Sequence, residues 1–204
     1  MPIIYFFGAD GSGKTTLARL LCADFRKKGF KVKYSWMRGS HTLISVISRL
    51  LSRFSVFKGM SNPYYRIRVP NQMVRLWHLL EYVSSLPVIL YRFVIPDLLG
   101  YTIVADRYAL DLLVWVVLTT RDSSFLKTIP AKHLTSLALK THFRFFIMAD
   151  LDELVHRSGE ETANLKRQLE IYESLNIDAC RIDTTRKSSK ESIREIENII
   201  CGIR

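Results

Sequence analysis

A glycine-rich stretch near the start of the chain has the spacing of a phosphate-binding loop. Residues 8–15 read GADGSGKT and match the pattern GxxxxGK[ST]. In such a loop, backbone N–H groups surround a phosphate, glycines supply unusual backbone angles, and a helix N-terminus points at the anion. Lys14 would reach the β- and γ-phosphates, and Thr15 would ligate Mg²⁺. The motif therefore predicts a site for a nucleoside triphosphate with Mg²⁺.

A carboxylate and a guanidinium stand together in the middle of the chain. Asp106 and Arg107 directly follow the apolar run YTIVA, which is typical of a buried strand. At the carboxyl edge of a parallel sheet, Asp106 would hold Mg²⁺ or its water, and Arg107 would clamp the phosphate of an acceptor. The alternative is an aspartate that caps a helix beside a solvated arginine. The presence of a phosphate loop in the same chain favours the first interpretation.

Strands alternate with helices in the elements that must position these residues. Apolar runs predict strands at 3–7, 32–36, 101–105, 143–149 and 179–182. Helical spacing predicts helices at 14–28, 43–57, 71–99, 110–120, 131–142, 151–157 and 163–175, and Ser188 with Glu191 predicts the capping box of a closing helix. Pro87 and Pro96 are expected to kink or divide the helix at 71–99. The alternation predicts one α/β domain over residues 1–204, a three-layer sandwich of about five parallel strands with helices on both faces.

The positive charge of the chain is concentrated in one segment. The 204 residues include 30 Lys plus Arg against 19 Asp plus Glu, which gives a formal net charge of +11. Residues 25–80 contain 12 of these basic residues and no acidic residue. A composition of 48% hydrophobic and 24% charged residues excludes a disordered or fibrous chain. The concentrated charge therefore favours a phosphate-bearing partner for a folded domain.

Cysteine usage and the apolar segments bear on the location of the protein. The three cysteines are far apart and form no CxxC pair, which favours a reducing, cytoplasmic setting. The N-terminal run MPIIYFFGADG lacks the positive charge of a signal peptide. Six charged residues interrupt the apolar region 76–118, so we predict no membrane-spanning segment and no membrane partner. His41 has no metal-ligand partner at suitable spacing, so zinc is not indicated.

Several segments together resemble the thymidylate kinase family of P-loop nucleoside monophosphate kinases. FGADGSGKTT followed by IVADRYALDLLVW is similar to the GxDGxGKT loop and the DR[YH] motif of that family. LVHRSGEE resembles its arginine-bearing lid, LKRQLEIYESL its post-lid helix, and CRIDTTRKSSKES its final strand with the turn to the last helix. Residues 37–99 match poorly, and this is the segment in which the family reads the acceptor base.

The resemblance implies an activity, cofactors and an assembly. It implies transfer of the γ-phosphoryl group of ATP to a nucleoside monophosphate, with dTMP as the first choice and dTDP as the product, and with Mg²⁺ required. A lid at about 157–166 would close over the reactants. The resemblance also implies a cytoplasmic homodimer, formed through the apolar helices in region 76–118. The ATP-binding residues would be Gly8, Asp10, Gly11, Ser12, Gly13, Lys14, Thr15, Thr16 and, near adenine within 184–187, Arg186.

The resemblance further assigns catalytic roles to three cations. Lys14 would contact the transferred phosphoryl group and Arg107 the acceptor monophosphate. Gly11 stands where some members place an arginine, and members with glycine there take their catalytic arginine from the lid. That points to Arg157, with Lys166 or Arg167 as weaker candidates, to stabilise charge on the transferred group. A solvated charge at a helix end is the alternative for Arg157.

The acceptor side is the least determined part of the prediction. Asp10 would face the acceptor sugar and phosphate, and Trp115 would crowd the sugar 2′ position, unless it is simply a core aromatic residue. Arg38 follows the second strand at about the place of a family arginine that binds acceptor phosphate, with a solvated basic face as the alternative. Arg75 is our choice for reading the base, from the candidates Arg75, Trp77, His78 and Arg92. Tyr64, Tyr65, Arg66 and Arg68 would form either an aromatic and basic patch or, as we favour, a loop packed on the surface.

Other functions are consistent with the same motifs. A related kinase would act on a different (deoxy)nucleoside monophosphate. A P-loop ATPase would instead bind nucleic acid through the basic segment 25–80, with an affinity that falls steeply with salt. A helix at 43–57 lying on an anionic membrane is less favoured, because its two arginines are few for that role. Only Arg38 and Arg75 of the 12 positive charges in the basic segment have a role in the kinase mechanism.

Overall fold

The computed structural model describes residues 3–38, 43–54, 57, 67 and 69–202. Within them, five strands form one parallel sheet, namely β1 (Ile3–Phe7), β2 (Val32–Trp36), β3 (Thr102–Asp106), β4 (Phe143–Met148) and β5 (Cys180–Asp183). Their order across the sheet is β2-β3-β1-β4-β5. Phe6 of β1 is in register with Asp106 of β3. The phosphate loop and Asp106–Arg107 therefore leave the sheet at the same edge, as the sequence predicted.

Helices cover both faces of this sheet. They are α1 (Lys14–Lys27), α2 (Leu43–Leu51), α3 (Val74–Ile89), α4 (Ile95–Leu98), α5 (Ala109–Thr120), α6 (Ile129–Leu139), α7 (Leu151–Ser158), α8 (Thr162–Ser174) and α9 (Ser189–Gly202). Alternate side chains of β1 point to opposite faces. Ile4 and Phe6 pack in the cluster that includes α1 and α9 residues, whereas Tyr5 and Phe7 pack in the cluster that includes α5 and α8 residues. The predicted three-layer α/β fold is therefore confirmed.

The helix boundaries follow local capping chemistry. Glu191 and Ser188 form the predicted capping box, since the Ser188 N–H donates to the Glu191 carboxylate at 2.8 Å and the Glu191 N–H donates to Ser188 Oγ at 3.3 Å. Helix α6 begins before the predicted start, because Thr128 Oγ1 accepts from the Ala131 N–H at 3.3 Å and caps it. Helix α2 is shorter than predicted and ends at Leu51.

The sequence predicted that Pro87 and Pro96 would kink or divide the helix at 71–99, and the division does not occur. A continuous helical segment of 28 residues runs from Asn71 to Leu98, and a π-helical turn (Leu90–Val94) joins α3 to α4. Pro87 lies inside α3, where it removes one backbone hydrogen bond. The segment nevertheless continues, because it packs on α5 in its first half and on β2 in its second.

One face of this 71–98 helix is apolar and exposed. Leu76, Leu79, Val83, Leu90 and Leu98 recur at helical spacing, and each is about half exposed or more. By length and composition the helix could cross a membrane, contrary to our expectation, and 33% of its most apolar 18-residue window is buried. Two of its four charged residues are turned inward, as Glu81 is fully buried and Arg92 donates to the carbonyl oxygen of Trp36. We call this surface the outer face of the 71–98 helix.

Candidate active site

The phosphate loop connects β1 to α1 through three glycines that no other residue type could replace without strain. Gly8, Gly11 and Gly13 have φ values of 140°, 82° and 91°. A Cβ on Gly8 would lie 2.3 Å from the carbonyl oxygen of Ile147, and one on Gly11 would lie 2.7 Å from that of Leu154. The loop thus depends on close backbone approach to β4 and α7. Gly11 cannot be exchanged for the arginine that some thymidylate kinases carry unless α7 moves.

Lys14 is buried at the start of α1 and folds back over the loop. Its Nζ donates to the carbonyl oxygen of Ala9 and to Ser12 Oγ, the latter at 3.1 Å. Burial and the neighbouring Arg107 lower the pKa of Lys14 to about 7. A phosphate at the loop would favour the charged ammonium group. Lys14 is therefore placed to exchange a backbone carbonyl for a phosphate oxygen.

Asp106 and Thr15 fit the ligand set expected for Mg²⁺. Asp106 is fully buried, and its Oδ2 accepts from the Tyr34 hydroxyl at 2.6 Å. Asp106 Oδ1 has no hydrogen-bond partner, which suits a cation or a cation-bound water. Thr15 follows Lys14 in the first turn of α1, and its side chain is exposed. The described residues contain no cluster of three or more His, Cys, Asp or Glu that could hold a metal, so most ligands would come from phosphate and water.

A cavity of about 230 Å³ opens on one side of the phosphate loop, and we call it the Arg157 cavity. The side chain of Arg157 donates to Thr184 Oγ1 at 3.1 Å and to the Thr184 carbonyl oxygen at 3.0 Å, and it pairs with Glu153 at 2.7 Å. Thr184 Oγ1 in turn donates to the carbonyl oxygen of Ser12 at 3.0 Å. Arg157 is thereby tied to the phosphate loop. The residues that line the cavity are Gly13, Thr16, Leu17, Arg157, Thr184, Lys187, Ser189 and Ser192.

A second cavity lies on the other side of Asp10, and we call it the Arg107 cavity. Its free volume is only about 20 Å³, close to the space that one water molecule needs. It brings together Asp10, Arg38, Arg107 and Trp115, all of which the sequence assigned to the acceptor side. The residues that line it are Asp10, Arg38, Arg107, Asp111, Val114, Trp115, Leu118, Gln168 and Tyr172.

Ion pairs close the Arg107 cavity. The Arg107 guanidinium bonds to Asp10 Oδ1 and lies 3.5 Å from Asp111 Oδ1, while Arg38 Nη2 lies 3.2 Å from Asp10 Oδ2. Burial opposes ionisation of Asp10, but the positive charges of Arg107, Lys14 and Arg38 outweigh it and hold the pKa of this carboxyl well below its usual range. Both arginines are therefore already matched by carboxylates.

Asp111 fixes α5 to the sheet, although the sequence analysis gave it no role. Its carboxylate accepts from the hydroxyls of Tyr5 and Tyr172 at 2.6 and 2.7 Å and from the N–H of Tyr108 at 3.0 Å. Burial raises the pKa of Asp111. Its place five residues after Asp106 was the available signal, since that spacing puts a carboxylate in the first turn of the following helix.

Arg38 and Arg92 hold the end of β2 in place. The Arg38 guanidinium carbon lies 5.9 Å from the centre of the Trp115 ring, and Trp115 is buried. Arg92 does not line the cavity, but it donates to the carbonyl oxygen of Trp36, and its own carbonyl accepts from Ser35 Oγ at 2.7 Å. Arg92 therefore positions the strand end that carries Arg38 rather than reading a base itself.

Two polar residues of the lid region complete the site and were missed by sequence reasoning. The Asp10 N–H donates to Gln168 Oε1 at 3.1 Å, and Gln168 Nε2 donates to Glu160 Oε2 at 3.0 Å. Glu160 Oε1 lies 4.0 Å from Arg38 Nη2. Glu160 stands in an ordinary charged run, GEE, so its sequence context predicts a solvated surface. The eight-residue spacing to Gln168 carries no recognisable motif.

Other predicted residues lie away from these two cavities. Arg75 is exposed on α3, where its positive charge helps to lower the pKa of Asp122. Trp77 is buried in a small apolar cluster, and His78 Nε2 lies 3.2 Å from Thr120 Oγ1. Arg186 is exposed in the turn before α9, next to Lys187. His41, Tyr64, Tyr65, Arg66 and Arg68 lie outside the described residues.

A comparison with solved structures gives a clear match for the fold. Thymidylate kinase from Candida albicans superposes with a TM-score of 0.67 at 17% sequence identity, over 98% of this chain and 90% of that chain. No protein-family model matches the chain, and no curated protein sequence matches it significantly. The chain therefore shares the P-loop fold of thymidylate kinase at an identity too low to show more than the fold.

Proposed function

We propose that this protein is a nucleoside monophosphate kinase that transfers the γ-phosphoryl group of ATP to an acceptor monophosphate, with dTMP as the first candidate. The observation that carries the proposal is the pair of cavities that the phosphate-loop region lines, one through Gly13 and the other through Asp10. One is tied to Arg157 and the other contains Arg38 and Arg107. The fold likeness to thymidylate kinase supports the same reading.

The Arg157 cavity would accept the nucleoside of ATP, with the triphosphate along the phosphate loop. Backbone N–H groups of the loop and Lys14 would bind the phosphates. Thr15 and Asp106 would hold Mg²⁺, which when bound neutralises charge on the β- and γ-phosphates. Arg157 would contact the transferred group or the donor nucleotide, depending on how far the lid closes.

The Arg107 cavity would accept the monophosphate. Arg107 and Arg38 offer planar guanidinium groups that match a phosphate in bidentate fashion, and Asp10 holds both in place. Trp115 lies beside Arg38 and would bound the sugar. The protein needs to align the two anions, neutralise charge and exclude water, because phosphoryl transfer requires little covalent chemistry from side chains.

The substrate is tested by a panel of nucleoside monophosphates assayed with ATP and Mg²⁺. dTMP should be the best acceptor, with the Lys14→Met variant as the inactive control. If dTMP ranks below several other monophosphates, the substrate is wrong and the related-kinase alternative holds. If no monophosphate is phosphorylated and nucleic acid stimulates ATP hydrolysis, the nucleic-acid-dependent ATPase is favoured.

We also infer that two copies pair through the outer face of the 71–98 helix. The exposed leucines along it form an apolar surface of the kind that marks an interface. Light scattering should give a dimer for the wild type and a monomer for Leu79→Glu. Leu139, similarly exposed on α6, provides the control Leu139→Glu, which should remain dimeric. A monomeric wild type that floats with lipid vesicles would instead assign this face to a membrane.

A further inference from the structure

An acidic side chain that a phosphate-binding site does not need lies beside two of the residues that line the Arg107 cavity, Arg38 and Gln168. Asp10 and Asp111 are each bonded to Arg107, whereas Glu160 comes from the turn between α7 and α8 and faces Arg38. Given the proposed function, on which this inference rests, we propose that Glu160 occupies the place of the acceptor phosphate on Arg38 and is displaced when the acceptor binds.

Contacts with Arg38 and Gln168 hold Glu160 in this position. Its Oε1 lies 4.0 Å from Arg38 Nη2, and its Oε2 accepts from Gln168 Nε2 at 3.0 Å. The Glu160 and Arg38 side chains are only 22% and 27% exposed. Glu160 is therefore a partly buried charge beside the Arg107 cavity rather than a solvated surface charge.

In this structure the Arg107 cavity is too small to receive a nucleotide. Its free volume of about 20 Å³ suits a single water molecule. A monophosphate bound to Arg38 would bring further negative charge next to Glu160, and like charges repel strongly in a partly buried site. This repulsion would displace Glu160 when the acceptor enters.

The local backbone allows this movement. Helix α7 ends at Ser158 and α8 begins at Thr162, so Glu160 lies in a short turn. Gly159 has a φ of 66°, and a Cβ there would meet nothing within 4 Å. The turn is held by side-chain bonds, including one from the Glu160 N–H to Ser158 Oγ at 3.1 Å. Losing the contacts of one carboxylate would free it.

The same turn connects the two cavities. Arg157 is three residues before Glu160 and bonds to Thr184 in the Arg157 cavity. Displacement of Glu160 would therefore move the segment that carries Arg157 toward or away from the donor phosphates. Binding of a phosphate-bearing acceptor, but not of a nucleoside without phosphate, would supply the anion that replaces Glu160 on Arg38.

The test compares steady-state kinetics of Glu160→Ala with those of Glu170→Ala, an exposed glutamate on α8 that serves as the matched control. In Glu160→Ala the KM for the acceptor monophosphate should fall by roughly two- to fivefold, as expected for loss of a partly exposed ion pair that competes with it. The KM for ATP should stay unchanged, and Glu170→Ala should match the wild type. An unchanged or raised acceptor KM in Glu160→Ala overturns the proposal.

A double-mutant cycle separates displacement from a general effect on the fold. In the Arg38→Ala background, Glu160→Ala should no longer lower the acceptor KM, because the shared partner is missing. The same fall in KM with and without Arg38 would contradict direct competition.

A binding measurement keeps this inference distinguishable from the proposed function. If the wild type phosphorylates no monophosphate, the proposed function fails, and calorimetry with inorganic phosphate tests Glu160 alone. Glu160→Ala should then bind phosphate more tightly than Glu170→Ala, and this difference should vanish in the Arg38→Ala background. Equal phosphate affinity in Glu160→Ala and Glu170→Ala would overturn the role of Glu160.

Discussion

The two cavities beside the phosphate loop differ in size and in the side chains that line them. The Arg157 cavity has about 230 Å³ of space and is lined largely by glycine, serine and threonine at the ends of helices. The Arg107 cavity has about 20 Å³ and is filled by side chains of opposite charge. The first site is ready for an anion as it stands, because backbone N–H groups and a helix N-terminus need no rearrangement. The second must exchange internal ion pairs for a ligand.

This difference indicates which of the two cavities can discriminate between substrates. A preformed backbone site recognises any triphosphate tail, since its donors belong to no particular side chain. A site closed by ion pairs binds only a ligand whose own contacts offset the free energy lost when those ion pairs break. Discrimination among substrates is therefore expected on the Arg107 side and general phosphate affinity on the Arg157 side.

The largest effect is expected for Lys14, which would contact the phosphoryl group that passes from donor to acceptor. Lys14→Met keeps the buried volume but removes the ammonium group, so kcat for phosphoryl transfer should fall by roughly 100- to 1,000-fold, as for other groups that stabilise transition-state charge. Far-UV circular dichroism should be unchanged. Lys28→Met, which changes an exposed lysine paired with Glu197, is the control and should retain activity. Turnover near the wild-type rate in Lys14→Met would remove the phosphate loop from the mechanism.

A change at Arg107 tests whether its cavity belongs to the acceptor. Arg107→Lys keeps the charge and loses the planar fork, so the acceptor KM should rise by roughly 10- to 100-fold, the usual worth of a charge-assisted hydrogen bond. The KM for ATP should stay the same. If the ATP KM rises and the acceptor KM does not, the assignment of the two cavities is reversed.

The pH dependence of stability tests the ion pairs that close the Arg107 cavity. Because the native pKa of Asp10 lies below its unfolded value, its ionisation stabilises the fold at neutral pH; this contribution decreases as the pH falls below the unfolded pKa and is gone below the native pKa. Asp10→Asn should therefore lower the free energy of unfolding by about 1.4–4 kcal/mol at pH 7, the free energy that corresponds to the usual pKa shift of a carboxylate next to arginine. Urea unfolding between pH 7 and pH 3 measures the difference in the free energy of unfolding between the wild type and Asp10→Asn.

Asp111→Asn is the matched control, because burial raises the pKa of Asp111 instead of lowering it. Its wild-type carboxyl loses stability as the pH rises above the unfolded pKa, so the cost of Asp111→Asn should shrink toward neutral pH. An Asp10→Asn gap that grows as the medium is acidified would mean that Asp10 is not held ionised by its arginines.

The smallest effect is expected on the Arg157 side. Arg157→Ala removes two hydrogen bonds to Thr184, so kcat/KM for ATP should fall by roughly three- to tenfold while the acceptor KM is unaffected. Arg181→Ala, which removes an exposed arginine paired with Glu173, is the control. A larger loss, of roughly 1,000-fold, would instead identify Arg157 as an arginine that reaches the transition state.

The parts of the fold that depend on local sequence were predictable. Each strand was placed within one or two residues, because short apolar runs ending in glycine or aspartate specify a buried parallel strand. The phosphate loop was predictable because three left-handed or close-packed glycines and one lysine lie within eight residues. Arg38, Arg107 and Trp115 were also correctly expected near Asp10.

The remainder depends on contacts between distant residues. Glu160 reaches Arg38 across 122 positions of the chain, and Asp111 reaches Tyr172 across 61. A charge in a polar run and an aspartate in a helix give no local sign of such partners. For Arg75 the local sequence was misleading instead. An arginine suits base recognition, but α3 places Arg75 near Asp122. Segment 37–99, which matched the resemblance least, contains both Arg38, which lines the Arg107 cavity, and Arg75, which lies elsewhere.

The π-helical turn at Leu90–Val94 makes the length of the 71–98 helix matter more than its composition. A π turn holds one residue more than the α-helical turn it replaces, and here that turn carries Arg92 to the Trp36 carbonyl. Deleting one residue would restore a regular α-helical turn, in which the remaining residues could not all keep their present directions. The leucines of the outer face tolerate exchange for other apolar residues, whereas a single-codon deletion in this turn would uncouple the helix from β2. During evolution, the outer face is therefore expected to accept substitutions among apolar residues, whereas insertions and deletions in the 71–98 helix should not be tolerated.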